Sequence, residues 1–111
     1  MSYKLDLETH LAIITLNNDF TIFYNRDLLT EIDRLRERKI RFVVFNLFNA
    51  AWMDSVGVGC IVKAGQLSEP FGKKAMLINA NEKIRFVLDH LGMENYFTYA
   101  LSLDKAREYL A

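Results

Sequence analysis

The chain has 111 residues, 51% of them hydrophobic and 25% charged, a length and balance suited to an ordinary soluble globular protein. Lysine plus arginine and aspartate plus glutamate are equal at 14 each, so no net field draws the chain toward nucleic acid or an anionic membrane. One cysteine, Cys60, excludes an internal disulfide, and together with two histidines it is too little for a structural zinc site. A reducing cytoplasm suits this composition. No basic segment followed by an apolar core opens the chain, so no secretory signal is expected. No stretch reaches the roughly 18 apolar residues of a membrane span, so no direct membrane insertion is expected.

Residues 3–8 and 11–16 read as two short strands separated by Thr9-His10. The second, Leu11-Ala12-Ile13-Ile14-Thr15-Leu16, is nearly all apolar, as a buried strand would be. Asn17-Asn18-Asp19 then breaks the pattern with turn-forming side chains. From Phe23 to Arg38 the period lengthens to that of a helix. Leu28, Ile32 and Leu35 share one face, with Arg26, Asp27, Glu31, Asp33, Arg34 and Glu37 on polar ones. Phe42 to Phe48 predicts a central strand, being β-branched or aromatic and almost free of charge. Asp54 or Ser55 starts a helix that extends to Ser68, where Glu69-Pro70-Phe71-Gly72 stops it.

Ala75-Met76-Leu77-Ile78 supplies another short strand. Asn79-Ala80-Asn81 leads into a helix from Glu82 to Leu91, with Ile84, Val87, Leu88 and Leu91 as its buried stripe and Gly92 as its stop. Residues 96–99 predict a last strand. Residues 102–110 predict a final helix, capped by Ser102, with Leu103, Ala106 and Leu110 inward. One proline, Pro70, and no linker or internal repeat leave residues 1–111 as a single domain. The later βαβα order favours a sheet covered by helices over a bundle.

The segment Met53-Asp54-Ser55-Val56-Gly57-Val58-Gly59 has a clear chemical use. The first N–H groups of a helix lack intrahelical acceptors, so a serine oxygen placed there can accept from one of them. Such a cap contributes about 0.5–2 kcal/mol. A phosphoryl group on Ser55 would add about −1.5 to −2 charge, its oxygens facing those donors and the positive helix end. A partner docked over the spot would meet new bulk and new charge while the domain stayed folded. Gly57 and Gly59 fit a closely packed first turn. On residues alone, a merely structural capped helix, with Asp54 supporting the turn, is the favoured reading.

Catalytic arrangements are not visible. The Gly-Lys-Ser/Thr ending of a nucleotide-binding loop is absent, and so is the Gly-x-Ser-x-Gly order of a hydrolase. His10 lies in an early turn and His90 near a helix end, with no partner at a meaningful spacing. No convergent acid, base and nucleophile can be assembled, so no enzyme, metal or cofactor is expected. Arg34, Arg36, Arg38, Lys39 and Arg41 are interrupted by Asp33 and Glu37 and are read as a solvated helix end rather than a nucleic-acid surface. Phe20, Phe23 and Tyr24 are either core or an aromatic contact patch. Trp52 either packs beneath the serine loop or meets a partner. Cys60 is read as a small buried residue.

Four segments together carry a family resemblance: Val43-Val44-Phe45-Asn46-Leu47, the Asp54-Ser55-x-Gly57-x-Gly59 start, Ala75-Met76-Leu77-Ile78-Asn79, and Leu91-Gly92-Met93-Glu94-Asn95-Tyr96-Phe97. In that order and spacing the chain resembles the STAS domain, the fold of bacterial anti-sigma factor antagonists. The resemblance covers nearly the whole chain and is strongest from Phe42 to Phe97. It implies an α/β fold, a mixed four- to five-stranded sheet with about four helices largely on one face. It also implies that Ser55 is a phosphoacceptor for a partner anti-sigma kinase, a histidine-kinase-like ATPase. The unphosphorylated chain would bind the anti-sigma factor and free the sigma factor; phosphorylation would block that binding and a serine phosphatase would reset it. The kinase supplies ATP and its metal, so this chain needs no cofactor. Asp54, Gly57 and Gly59 would support the switch loop, with Asp19, Thr21, Phe23, Trp52 and Val56 as candidate partner contacts. Two departures stand out. Val56 occupies a position where the family often has another serine or threonine, and Thr21 replaces an acid near the loop, with Asp19 beside it. They favour, as the alternative, a non-switching scaffold subunit of a stressosome or a lipid-transport complex.

Overall fold

In the computed structural model, which describes residues 2–111, the chain begins with a hairpin of β1 (Tyr3–Glu8) and β2 (Leu11–Leu16). The strands are antiparallel, Tyr3 opposite Leu16 and Glu8 opposite Leu11. Every later strand is parallel to its neighbour: β3 (Phe42–Asn46) pairs with β2, β4 (Ala75–Ile78) with β3, and β5 (Phe97–Ala100) with β4. The result is a five-stranded mixed sheet in the order β1-β2-β3-β4-β5.

Helices fill the crossovers. After β2 come α1 (Ile22–Asn25) and α2 (Leu28–Glu37); after β3 comes α3 (Ser55–Ser68), continued by a 3-10 turn at Glu69–Phe71; after β4 comes α4 (Glu82–Leu91). Leu28, Ile32 and Leu35 of α2, Cys60, Ile61, Ala64 and Leu67 of α3, and Ile84 and Leu88 of α4 share one core with Ala12, Ile14, Leu16, Val43, Phe45, Ala75 and Leu77. The alternate residues Leu11, Ile13, Val44, Met76 and Ile78 face the other side, under Ala106 and Leu110 of α5 (Leu103–Leu110). Strands covered on both sides cannot alternate polar and apolar, which explains the apolar run of β4 and the nearly apolar one of β2.

Several boundaries differ from the sequence expectation. The helix expected from Phe23 to Arg38 is two helices, interrupted at Arg26-Asp27. Buried Asn25 donates through Nδ2 to the carbonyls of Asp19 (3.0 Å) and Thr21 (3.1 Å), binding α1 to the loop after β2 while α2 packs on the sheet. The strand expected to reach Phe48 stops at Asn46, whose Oδ1 accepts from the Phe48 amide (3.1 Å) and from Asn79 Nδ2 (2.9 Å). The last strand runs one residue later than expected, because the Tyr96 amide is held in a turn by the Met93 carbonyl (2.9 Å). Leu91 is exposed, Val87 half-buried and Leu103 half-buried, so the inward stripes of α4 and α5 are narrower than their periodicity suggested. A close approach in α3 had no sequence signal. A Cβ on Gly65 would lie 2.5 Å from the Tyr96 carbonyl oxygen, so only glycine lets this helix sit against the entry to β5.

Candidate functional site

Three loops leave the carboxyl ends of β2, β3 and β4 and meet at the start of α3. Short backbone pairing joins the first two: the Phe20 amide donates to the Trp52 carbonyl (2.8 Å) and the Asp54 amide to the Phe20 carbonyl (3.1 Å). Two aspartates fasten them further. Asp19 Oδ1 accepts from the amides of Ala51 (2.9 Å) and Trp52 (3.3 Å). Asp54 reaches in the opposite direction, its Oδ2 accepting from the Ile22 amide at 3.0 Å. The third loop is tied in by Asn81, which caps α4 through the Ile84 amide (2.9 Å) and donates to the carbonyls of Ala50 (3.3 Å) and Ala51 (3.1 Å).

The cap of α3 is Asp54, not Ser55. Asp54 has extended backbone, and its Oδ1 accepts from the amides of Val56 (2.9 Å) and Gly57 (3.4 Å). An ionised carboxylate competes better than a hydroxyl for these amides and complements the positive helix end. Ser55 is the first helical residue, exposed, and its hydroxyl makes no hydrogen bond among the described residues. Its oxygen is therefore open to solvent beside a helix end whose Val56 and Gly57 amides are already held by Asp54.

The two motif glycines differ. A Cβ on Gly57 would lie 2.5 Å from the Phe20 carbonyl oxygen and 3.0 Å from its ring, a clash with backbone that cannot yield. A Cβ on Gly59 would meet only Leu29 Cδ2 at 3.6 Å, an ordinary contact, so the expectation that both glycines are sterically required holds for Gly57 alone. Val56 is half-buried and packs on the core. Thr21 serves through its carbonyl, which accepts from the amides of Tyr24 (3.2 Å) and Asn25 (2.9 Å), and its side chain makes no capping bond. Asn25 was not singled out as a site residue. The one available signal was a polar side chain three residues before Leu28, on the apolar face.

The elements that carry these loops also carry exposed apolar side chains. Phe23 is 83% exposed, Phe48 75% and Phe86 70%, with Ile22 and Trp52 about half exposed. Phe20, by contrast, is fully buried. Trp52 thus lies on the surface rather than beneath the loop, lining a shallow cleft of about 560 Å³ with Glu82, Lys83, Phe86 and Val87. Phe48 and Phe86 were missed, the first assigned to a strand and the second lost among the charged residues of its helix. Only the fold shows that they share one end of the sheet. Cys60 is buried one turn further along α3, and burial pushes its thiol up to about 12, out of reach of redox chemistry at neutral pH. No group of three or more His, Cys, Asp and Glu among the described residues could hold a metal ion. No helix among them is long and apolar enough to cross a membrane.

Comparison with known proteins adds the family. No curated protein matches the chain in sequence. Among solved structures, a candidate anti-sigma factor antagonist (tm1081) from Thermotoga maritima superimposes with a TM-score of 0.83 at 17% identity, over 96% of this chain and 92% of that one. The anti-sigma factor antagonist SpoIIAA in its unphosphorylated form gives 0.75 at 16% identity, over 97% and 96% of the two chains. The Bacillus cell fate determinant SpoIIAA in its phosphorylated form gives 0.75 at 17%, over 98% and 99%. At these identities the likeness is one of fold. The STAS domain family model matches residues 4–106, and the chain belongs to the STAS domain family.

Proposed function

We propose that this chain, a single cytoplasmic domain, is a protein-binding switch of the anti-sigma factor antagonist kind, with Ser55 as its phosphoacceptor. The observation that carries the reading is the Ser55 hydroxyl, exposed and without a hydrogen bond at the start of a helix that Asp54 has already capped. Asp54 holds the Val56, Gly57 and Ile22 amides, so a phosphoryl group on Ser55 is added on the outside of an intact turn. The turn gains roughly two negative charges beside the Asp54 carboxylate, at the end of the sheet that carries the exposed aromatics. A partner that fits the unmodified surface must then desolvate a phosphate against apolar groups, which costs several kcal/mol or about a thousandfold in affinity.

Phe23, Phe48, Trp52 and Phe86 together offer on the order of 500 Å² of burial, against about 800 Å² per partner in a standard interface. The partner is an anti-sigma factor or related histidine-kinase-like ATPase, which supplies the nucleotide and metal; a serine phosphatase reverses the step. Structures of the same fold named as anti-sigma factor antagonists, one of them in a phosphorylated form, support this choice. The test is incubation with the kinase encoded beside the gene and ATP, followed by mapping of phosphate by mass spectrometry. Phosphate at Ser55 is expected; its clean absence with a demonstrably active kinase defeats the switch.

Thr21 and Val56 support a second reading, a constitutive scaffold subunit of a stressosome or lipid-transport complex. Thr21 brings no charge to the loop, and Val56 is committed to the core. A pull-down whose yield is unchanged in Ser55→Asp favours the scaffold; strong loss of the partner favours the switch.

A further inference from the structure

At the far end of α3, roughly 18 Å along the helix axis from Ser55, lies a groove that the switch does not use. It measures about 360 Å³ and runs between the end of α2 and the 3-10 turn. Ile40, Leu67, Pro70 and Phe71 give it an apolar floor, and Arg36, Lys39 and Arg41 stand on its rim. The surrounding charges are mostly spent. Arg34 pairs with Glu31 at 3.8 Å and Lys63 with Asp33 at 2.8 Å. Arg36, Arg38, Lys39 and Arg41 form no ion pair among the described residues, although the chain as a whole is balanced at 14 cations and 14 anions.

The rim is also held in place. The Arg41 guanidinium lies 4.9 Å from the centre of the Phe71 ring, which meets the Phe42 ring edge-on at 6.1 Å. The amides of Arg41 and Phe42 both donate to the His10 carbonyl (2.8 and 3.0 Å), and the His10 ring bonds the Lys39 carbonyl at 3.1 Å. Lys39 sits at a φ of 63°, in the left-handed region that favours glycine; across the groove, Gly72 takes a similar φ of 69° without a side chain. At Lys39 this is the turn that ends α2, with the Lys39 amide returning to the Arg36 carbonyl (3.1 Å) and the Ile40 amide to the Leu35 carbonyl (3.0 Å), so the rim is fixed by the helix end itself.

We propose that this groove is a second docking site, for an acidic peptide segment that carries an apolar side chain. Arginine and aromatic groups framing an apolar recess are the usual anchors of protein contacts, and the positive rim selects for carboxylates. A membrane fits less well. The apolar floor is recessed between the cations, open to a projecting side chain rather than to a flat headgroup layer. Nucleic acid fits less well too, since one ring already covered by Arg41 is no stacking platform. Because the site is at the opposite end of α3, it can be filled whether or not Ser55 is modified. The domain would then connect two proteins and release only one of them.

The test is a two-dimensional amide NMR titration of the whole chain at low salt with a short synthetic peptide of alternating aspartate, glutamate and leucine. Expected are saturable shifts at Arg41, Gln66, Leu67 and Phe71, weakening with added salt. The affinity should fall at least about tenfold in Arg36→Glu and in Arg41→Glu, with unchanged urea midpoints, and persist in Ser55→Asp. Shifts scattered over all lysines and arginines, undiminished binding by both charge-reversed variants, or equal binding of a peptide with asparagine and glutamine in place of the acids would overturn the proposal. So would the absence of saturable shifts together with co-sedimentation of the chain with phosphatidylglycerol vesicles.

Discussion

Asp54 and Ser55 are adjacent, yet only the first contributes to holding the fold. Asp54 satisfies two amides of its own helix and one of α1, so Asp54→Ala removes a cap and a link between loops together. A loss of about 1–2 kcal/mol is expected, with faster amide exchange at Val56 and Ile22. Ser55→Ala removes a hydroxyl that bonds nothing and should change stability by no more than about 0.5 kcal/mol. Urea unfolding of both variants checks the assignment; equal losses would return the cap to Ser55. The same comparison separates the glycines. Gly57→Ala forces a Cβ to within 2.5 Å of the Phe20 carbonyl oxygen and should cost about 1–3 kcal/mol. Gly59→Ala has room and should gain about 0.5–1 kcal/mol from helix propensity. In the sequence the two glycines are indistinguishable. What separates them is the backbone of Phe20, brought to one of them by loop pairing that no local pattern encodes.

At the scale of elements, strands and helices were legible wherever composition and boundary chemistry agreed. β1, β2, β4 and α4 have the expected ends because turn formers or caps bracket each run: Thr9-His10, Asn17-Asn18, Asn81 and Gly92. The break between α1 and α2 was hidden because Arg26-Asp27 contains neither glycine nor proline, and both residues keep right-handed dihedrals there. It is accompanied by the tether from Asn25 to the carbonyls of Asp19 and Thr21, a side-chain bond that helix periodicity does not encode. A further side-chain link joins α4 to β5. The Tyr99 hydroxyl donates to Asp89 Oδ1 at 3.3 Å, while the Arg85 guanidinium lies 4.0 Å from the ring centre. Burial, reinforced by the Asp89 charge, pushes the Tyr99 hydroxyl up to about 12. Since the unfolded chain releases this proton near pH 10, the stabilising contribution is complete below about pH 10 and is lost as the pH rises toward about 12. Alkaline unfolding followed by circular dichroism should show that loss, and Tyr99→Phe should flatten it. An identical alkaline limb in the variant would exclude Tyr99 as its source.

Across the whole molecule, the helices divide unequally. α2 to α4 build one core, and α5 covers the second face alone among the described elements. The family resemblance implied helices largely on one face, and nothing local distinguishes a helix that crosses to the other side. Arg107 of α5 meets Glu8 of β1 through Nε at 3.1 Å, but both side chains are well exposed, and such pairs contribute little. The attachment depends mainly on Ala106 and Leu110, with half-buried Leu103, against Leu11, Ile13, Val44, Met76 and Ile78, and Lys73 adds a bond to the Tyr109 carbonyl (2.9 Å). Ala106 is fully buried, so Ala106→Glu places a carboxylate against that face at a cost of about 3 kcal/mol or more. An eight-residue helix has too little stability of its own to adapt, and it should detach as a unit. Amides of α5 should then exchange freely while those of β3 and α3 stay protected, and the bared apolar face should drive association that grows with concentration. Hydrogen exchange with size-exclusion chromatography checks both outcomes. A monomeric variant with α5 still protected would mean that the exposed ion pairs, not the two apolar side chains, hold the second layer in place.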